Sequence, residues 1–154
     1  GVISAGNASQ FSDGAGACVV VSESYAQKKG LKPLGRLINW ASVGCDPKIM
    51  GIGPVPAVTQ AMARAGLTVA QMDVIESNEA FAAQACAVAR DLRFDAAKTN
   101  PNGGAIALGH PIGATGCILT IKALYELERI GGRYALVTMC IGGGQGIAGI
   151  FERI

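Results

Sequence analysis

Three side chains of this 154-residue chain combine chemical reactivity with an unusual sequence setting. His110 is the only histidine, and it lies between Gly109 and Pro111 in a stretch with almost no other polar side chain. Three glycines follow closely after Cys140, and Asn78 precedes an alanine-rich segment. A thiol, an imidazole, an amide and the backbone N–H groups of glycine turns are the groups that acyl transfer uses. If the three residues converge in the fold, they predict a site for that chemistry.

Each of the three residues also has a structural interpretation. An isolated histidine is more often architectural than catalytic, although glycine and proline neighbours offer the imidazole of His110 little packing. Asn78 could cap the helix that follows it, and Cys140 could be a small buried hydrophobic residue. Glu79, a further candidate acid or base, is better explained as a carboxylate in the first turn of that helix. The remaining cysteines lack a glycine turn and are interpreted as structural: Cys18, Cys45, Cys86 and Cys117.

Composition and motif spacing exclude several other kinds of site. A net charge of +2 without a run of Lys or Arg gives no electrostatic basis for binding nucleic acid. Five cysteines without CxxC spacing predict reduced thiols rather than disulfides or a metal site. They favour an intracellular, reducing compartment, with the cytoplasm preferred. The chain has no apolar run of the roughly 20 residues that span a membrane, and its glycine segments fit neither a P-loop nor a GxGxxG turn.

Strand and helix signals alternate along the chain and predict an α/β fold with a mixed sheet. The predicted strands are 17–22, 34–43, 73–77, 133–140 and 146–152, and the predicted helices are a short one ending at Gly30, then 54–65, 80–92 and 113–130. Asn78 then lies between a strand and a helix, His110 just before a helix, and Cys140 at the bend of a final hairpin. Functional residues of α/β folds collect at such corners.

The surface of the chain is expected to be short of charge. Half of the residues are apolar and 16% are charged, against roughly 25% charged in an average soluble protein. We therefore expect apolar surface that faces another domain or subunit. The chain opens with Gly1 and shows no signal segment, which predicts a processed or truncated piece of a longer protein.

The three corners also resemble sequence boxes of the thiolase family, the acetyl-CoA C-acetyltransferases. Asn78-Glu-Ala-Phe-Ala is similar to the NEAFA box, and the stretch ending at Gly116 is similar to the GGAIALGHPIGATG box. Cys140 begins a segment similar to the CxGGGxG box, and Gly6-Asn-Ala-Ser-Gln resembles the stretch that binds coenzyme A. The resemblance runs from end to end of the chain, with the boxes in family order.

The resemblance implies a fold and a set of partners. Residues 1–33 would end the N-terminal domain, and residues 34–154 would form the C-terminal domain with the order βαβαβαββ. This thiolase-like half belongs to a five-layer α/β/α/β/α sandwich. The partners would be acyl-CoA substrates, the N-terminal thiolase half and, in the parent protein, further copies in a homo-dimer or tetramer.

The resemblance also implies Claisen chemistry on coenzyme A thioesters, with no tightly bound cofactor. Cys140 would remove the α-proton of an acetyl thioester and protonate the leaving group in the reverse direction. His110 would take the proton of a second, nucleophilic cysteine and donate a hydrogen bond to a thioester oxygen. Asn78 would hold a water in that oxyanion hole, and the N–H of Gly142 would contribute to a second hole. The substrate-binding residues would be Ser9 at the pantetheine arm, and Met50 and Phe81 in the acyl pocket.

The nucleophilic cysteine of the family belongs to the N-terminal half, and none of the five cysteines here has a matching context. The chain alone is therefore expected to be inactive. In addition, Gln10 stands where many family members have glycine.

Other functions are open. One is a relative resembling a ketoacyl synthase or a sterol-carrier-type thiolase, although ketoacyl synthases place histidine or asparagine where Cys140 stands. Another is a non-catalytic thioester-binding or assembly module, which would tolerate Cys140→Ala and His110→Ala. A third is a cysteine hydrolase that uses Cys140, His110 and Asn78 and makes no carbon–carbon bond.

Overall fold

The computed structural model describes all 154 residues and centres on a four-stranded mixed sheet. Its strands are β1 (Gly35–Gly44), β2 (Val74–Ser77), β3 (Tyr134–Ile141) and β4 (Gln145–Arg153). They lie in the order β1-β4-β3-β2. β2 runs parallel to β3, and the other two pairs are antiparallel. The predicted α/β class and mixed sheet are confirmed.

Five α-helices accompany the sheet: α1 (Glu23–Lys29), α2 (Pro54–Ala65), α3 (Ala82–Leu92), α4 (Ala105–Leu108) and α5 (Thr115–Ile130). The predicted bounds of α2 match the observed ones, because proline at its start and Gly66 just past its end mark both limits. Residues 111–114 form a turn, so α5 begins two residues later than predicted. The short helix α4 was not predicted. None of the helices has the length and apolarity needed to cross a membrane.

Helices cover both faces of the sheet, and the alternation of side chains along β3 shows how. Leu136 belongs to the apolar core under α2, whereas Ala135 and Val137 belong to the core under α5. Successive residues of a strand point to opposite faces. All three residues are buried, which accounts for the nearly continuous apolar run in this part of the sequence. The two cores fix the ends of β2 and β3, where the candidate residues lie.

One strand of the βαβαβαββ order is reduced to a single bridge. Between α3 and α4 the chain returns to the sheet at Thr99, which forms a parallel bridge with Ile75. The N–H of Ile75 donates to the carbonyl of Lys98, and the N–H of Asn100 donates to the carbonyl of Ile75, both at 2.8 Å. Asn100 has a left-handed backbone with a φ of 47°, which turns the chain away from the sheet after this one residue.

The strand predicted at residues 17–22 is absent, so that prediction is wrong for this structure. A strand needs a neighbour to pair with its backbone N–H and C=O groups, and no segment of the chain lies beside this one as a ladder. Val19 and Val20 are 90% and 88% exposed. Their exposure agrees with the apolar surface that the composition predicts.

Candidate active site

Asn78 follows β2 directly, and its backbone is held by the neighbouring strand. Its N–H donates to the carbonyl of Thr138 in β3 at 3.0 Å, and the residue is 2% exposed. The N-terminal cap of α3 is Phe81, three residues later. The interpretation of Asn78 as a helix cap is therefore wrong, because Phe81 holds the cap position and the helix begins only at Ala82. Its side chain instead reaches His110.

The His110 ring is held at both nitrogens. Nδ1 lies 2.7 Å from Oγ1 of Thr115, and Nε2 lies 3.3 Å from Nδ2 of Asn78. The Thr115 hydroxyl donates its own hydrogen to the carbonyl of Pro111 at 2.9 Å, so it accepts the hydrogen bond from His110. The proton of the neutral ring is consequently assigned to Nδ1, and Nε2 carries the lone pair.

The backbone conformation before His110 explains the glycine there. Gly109 has a φ of 92°, and a Cβ at this position would overlap the hydroxyl of Ser12. The N–H of His110 donates to the carbonyl of Gln10 at 3.3 Å, and the Gln10 amide donates to the carbonyl of Ile106 at 3.2 Å. The segment at residues 10–12 therefore lies directly against the loop that carries the imidazole.

Partial burial lowers the pKa of His110. The charged imidazolium loses hydration in this position, so the neutral ring is favoured. The ring is not sealed off, because it borders a depression that it shares with Phe11, Asp13 and Ile112. At neutral pH His110 therefore presents a basic Nε2 beside an accessible groove.

Cys140 lies at the end of β3, paired with Gly146 of β4. The sequence predicted Cys140 at the bend of the hairpin. The bend lies at residues 142–144, so Cys140 is still in the strand, two residues before it. Thr138, which accepts the N–H of Asn78, is two residues before Cys140. Asn78 and Cys140 thus come from the carboxyl ends of neighbouring parallel strands, and His110 joins them through Asn78. Ligand sites of α/β sheets form at this edge.

Cys140 is 8% exposed, and burial raises the pKa of its thiol. Charge interaction with Cys45 adds to the increase, and a backbone hydrogen bond partly offsets it. A catalytic base would be expected to have a pKa drawn toward neutrality. In this structure desolvation of the thiolate outweighs the surrounding dipoles, so Cys140 is a thiol at neutral pH.

The other predicted site residues surround the same edge. Gly142 is the first residue of the hairpin bend and is exposed. Both the N–H and the hydroxyl of Ser9 donate to the carbonyl of Ala80 at 3.0 Å. Ala8 forms an antiparallel bridge with Phe81. Met50 lies in a 3₁₀ turn, Pro47–Ile52, that contacts α3 and the ends of β3 and β4.

Sequence reasoning missed two contributors to the site. Thr115, which orients the imidazole, lies in the first turn of α5, five residues after His110. The sequence could have indicated Thr115, because a hydroxyl residue at the start of a helix and just after a glycine-rich loop lies close to the side chains of that loop. Glu79 was interpreted as a first-turn carboxylate of α3, and that interpretation is wrong because α3 begins at Ala82. Its carboxylate accepts hydrogen bonds from Ile106 and Asn100 instead.

Comparison with known families gives a match over most of the chain. Residues 31–153 match the model of the thiolase C-terminal domain. The chain belongs to the thiolase family. It is 64% identical over 154 residues to beta-ketothiolase BktB of Cupriavidus necator, covering 100% of this chain and 39% of that protein.

Solved thiolase structures have the same fold. Human mitochondrial 3-ketoacyl-CoA thiolase in complex with CoA aligns with a TM-score of 0.91 and 47% identity, over 99% of this chain and 39% of that one. The acetyl-CoA acetyltransferase of Bacillus anthracis aligns with a TM-score of 0.94 and 41% identity, over the same shares. The chain therefore spans 39% of the length of these thiolases and corresponds to their C-terminal portion.

Proposed function

We propose that this chain is the C-terminal part of a thiolase that makes or cleaves 3-ketoacyl-CoA by Claisen chemistry. The observation that carries the proposal is the Asn78–His110 pair beside Cys140 at one edge of the sheet. The names of its relatives, which include a beta-ketothiolase and an acetyl-CoA acetyltransferase, support the reaction class. The relative solved with CoA supports a coenzyme A thioester as substrate.

His110 activates the nucleophile in this proposal. Nδ1 donates to Thr115, so Nε2 carries the lone pair. A cysteine from the N-terminal half gives its Sγ proton to Nε2, and this proton displaces the hydrogen bond that Nε2 accepts from the Asn78 amide. The resulting imidazolium still donates from Nδ1 to Thr115, and Nε2–H then donates to the thioester oxygen. The lowered pKa of His110 supports this role, because a base has to be neutral before it can accept a proton.

Asn78 and Gly142 supply the oxyanion contacts. The Oδ1 atom of Asn78 is buried and has no hydrogen-bond partner in the protein, so it offers an acceptor to a water held beside His110. Gly142 contributes its backbone N–H to the second oxyanion hole. Removing one such donor typically costs about 10²- to 10³-fold in rate.

Cys140 is the general acid in the cleavage direction. The nucleophilic sulfur adds to the 3-keto carbonyl, and the bond between C2 and C3 then breaks to release the enolate of acetyl-CoA. The Cys140 thiol transfers its proton to C2 of that enolate and becomes a thiolate. The incoming CoA thiol gives its proton to Cys140 as its sulfur attacks the acyl-enzyme. The nucleophilic cysteine leaves as a thiolate and recovers its proton from His110, and condensation reverses these steps. The raised pKa supports the acid role, because it keeps the proton on sulfur.

The substrate arm is proposed to cross the corner after β2. The hydroxyl of Ser9 is already donating to Ala80, so it would meet the pantetheine arm as an acceptor. Phe81, on the neighbouring bridge, and Met50, in the turn beside α3, would line the acyl pocket.

The chain is proposed to act only with its N-terminal half. Residues 1–33 would complete the N-terminal domain and residues 34–154 would form the C-terminal domain, within a homo-oligomeric parent in a reducing compartment. The exposure of Val19 and Val20 supports a covering partner for the first of these segments. The chain alone would be inactive because it lacks the nucleophile.

A thiolysis assay tests the proposal. Acetoacetyl-CoA and CoA would be supplied to the chain alone and to the chain fused behind the N-terminal half of the Cupriavidus necator relative. We expect acetyl-CoA only from the fusion, and none from the fusion carrying Cys140→Ala. Activity of the chain alone would contradict the missing nucleophile. Hydrolysis of the thioester without carbon–carbon cleavage would contradict the thiolase assignment.

A further inference from the structure

The short helix before His110 depends on a distant side chain for its position. α4 has only four residues and no side-chain cap from its own N-cap residue, Gly104. Helices this short are not stable in isolation. The N–H of Ile106, in the first turn, donates to Oε2 of Glu79 at 3.1 Å. The carboxylate thus takes the place of a local cap.

The second oxygen of Glu79 is also committed. Oε1 accepts from Nδ2 of Asn100 at 3.1 Å. The Asn100 amide is itself fixed on the backbone of Ser77, accepting from its N–H and donating to its carbonyl, both at 2.9 Å. Both carboxylate oxygens therefore accept from donors whose orientation is set by the backbone.

The backbone is shaped around this carboxylate. A Cβ on Gly104 would overlap the carboxylate of Glu79, so only glycine allows so close an approach. Two further contacts secure the same loop independently. Lys122 donates to the carbonyl of Gly103 at 2.7 Å, and Glu126 accepts from Asn102 at 2.9 Å.

We propose that Glu79 is a positioning residue that sets the distance between Asn78 and His110. It follows Asn78 directly in the chain, and it caps the helix that ends two residues before His110. One carboxylate thereby ties together the two backbone segments that carry the pair. Its effect on turnover rests on the proposed function, whereas its effect on the His110 ring does not.

The single histidine makes the ring a direct reporter. Nitrogen-15 NMR of the wild-type chain gives one pair of ring signals, expected for the tautomer protonated at Nδ1. Glu79→Gln keeps the size and shape of the side chain but replaces one carboxylate oxygen with an NH₂ group. That group then faces a donor, either the Asn100 amide or the N–H of Ile106. We expect ring signals shifted toward a mixture of tautomers, and amide exchange at Ile106 and Gly109 faster by about tenfold or more.

Glu126→Gln is the matched control. It alters a carboxylate bound to the same loop, at Asn102, without touching α4. We expect it to leave the His110 ring signals unchanged even where it lowers stability. Unchanged ring signals in Glu79→Gln, or equal changes in both variants, would overturn the proposal. Because the loop stays attached at Gly103, we expect Glu79→Gln to fold, and a cooperative unfolding curve checks this.

The fusion with the N-terminal half provides a kinetic measurement. Misplacing a catalytic group by about 1 Å can cost 10²-fold, so we expect Glu79→Gln to lower kcat by about 10- to 100-fold with little change in KM. An equal fall in kcat for Glu126→Gln would count against a positioning role. An inactive wild-type fusion would contradict the proposed function, and the NMR comparison would still decide on Glu79.

Discussion

The His110 loop and the Cys140 hairpin meet at one edge of the sheet but are positioned by different forces. Side-chain hydrogen bonds hold the imidazole, from Thr115 and Asn78 directly and from Glu79 through α4. The Cys140 thiol makes no hydrogen bond to another side chain, and a backbone ladder with β4 positions it. The position of the loop should therefore change when a hydrogen-bonding side chain is removed, whereas the hairpin should be destabilised when a larger side chain is added.

The hairpin should show the largest effect, through Gly146→Ala. A Cβ on Gly146 would overlap the backbone of Gly53 at the start of α2, and backbone atoms cannot move aside as a flexible side chain can. Overpacking costs typically 1–3 kcal/mol and sometimes more, so we expect a loss near the upper end, about 3 kcal/mol. Urea unfolding measures it.

Gly142→Ala is the control for this substitution. No atom lies within 4 Å of a Cβ at Gly142, so its stability should change by less than about 0.5 kcal/mol. Equal losses in the two variants would show that the hairpin responds to loss of glycine flexibility rather than to contact with Gly53.

Thr115→Val tests the loop by removing the acceptor for the Nδ1 hydrogen of His110. An unsatisfied buried donor costs about 1–3 kcal/mol, and the ring can reduce this cost by moving its proton to Nε2. We expect the ring nitrogen-15 signals to move toward the other tautomer and the stability to fall by about 1–2 kcal/mol.

Thr120→Val provides the matched control in the same helix. Thr120 also donates to a carbonyl four residues earlier, that of Gly116 at 2.8 Å, as Thr115 does to Pro111. It makes no hydrogen bond to His110. If the ring signals moved equally in both variants, the tautomer would not depend on Thr115.

Sequence alone predicted the elements that are positioned by burial and backbone pairing better than the loops that are positioned by side-chain hydrogen bonds. β3 was predicted from its nearly continuous apolar run, which follows from its burial on both faces, and α2 from the proline at its start and Gly66 just past its end. The corners at His110 and Cys140 were found because glycine and proline mark the ends of elements, and the corner at Asn78 because a strand pattern is followed directly by an alanine-rich helical segment. The predicted start of α5 and the predicted bend of the final hairpin each differ from the observed ones by one or two residues.

The features that were missed depend on contacts distant in sequence. Residues 17–22 have the composition of a strand, but a strand forms only where a neighbour supplies its hydrogen bonds. The short helix α4 has no cap in its own sequence, because its cap is Glu79, 27 residues earlier. Local propensity carries no information about such a partner.

Cysteine alkylation compares the thiols themselves. Cys18 and Cys86 are exposed, whereas burial hinders access to Cys140 and raises its pKa. Iodoacetamide reacts with thiolates, so at neutral pH we expect Cys140 to be modified after both exposed cysteines, as followed by peptide mass spectrometry. The order should disappear in urea. Early modification of Cys140 in the folded chain would contradict its assignment as a buried thiol.

The smallest expected effect concerns pH and the loop. Burial holds the pKa of His110 below its ordinary value of about 6.5, so the unfolded chain binds a proton at a higher pH than the folded chain does. His110 therefore contributes stability that is present above the ordinary histidine pKa and is lost as the pH falls toward the folded value.

His110→Asn isolates this contribution, since asparagine keeps a donor and does not titrate. Burial also raises the pKa of Glu76, so Glu76 contributes stability that decreases as the pH rises. This contribution is the same in wild type and in His110→Asn, so it cancels when the two are compared at each pH. We expect the difference in urea midpoint between wild type and His110→Asn to shrink from pH 7.5 to pH 5. Parallel curves would mean that the ring titrates alike in both states and that the loop does not shield it from water.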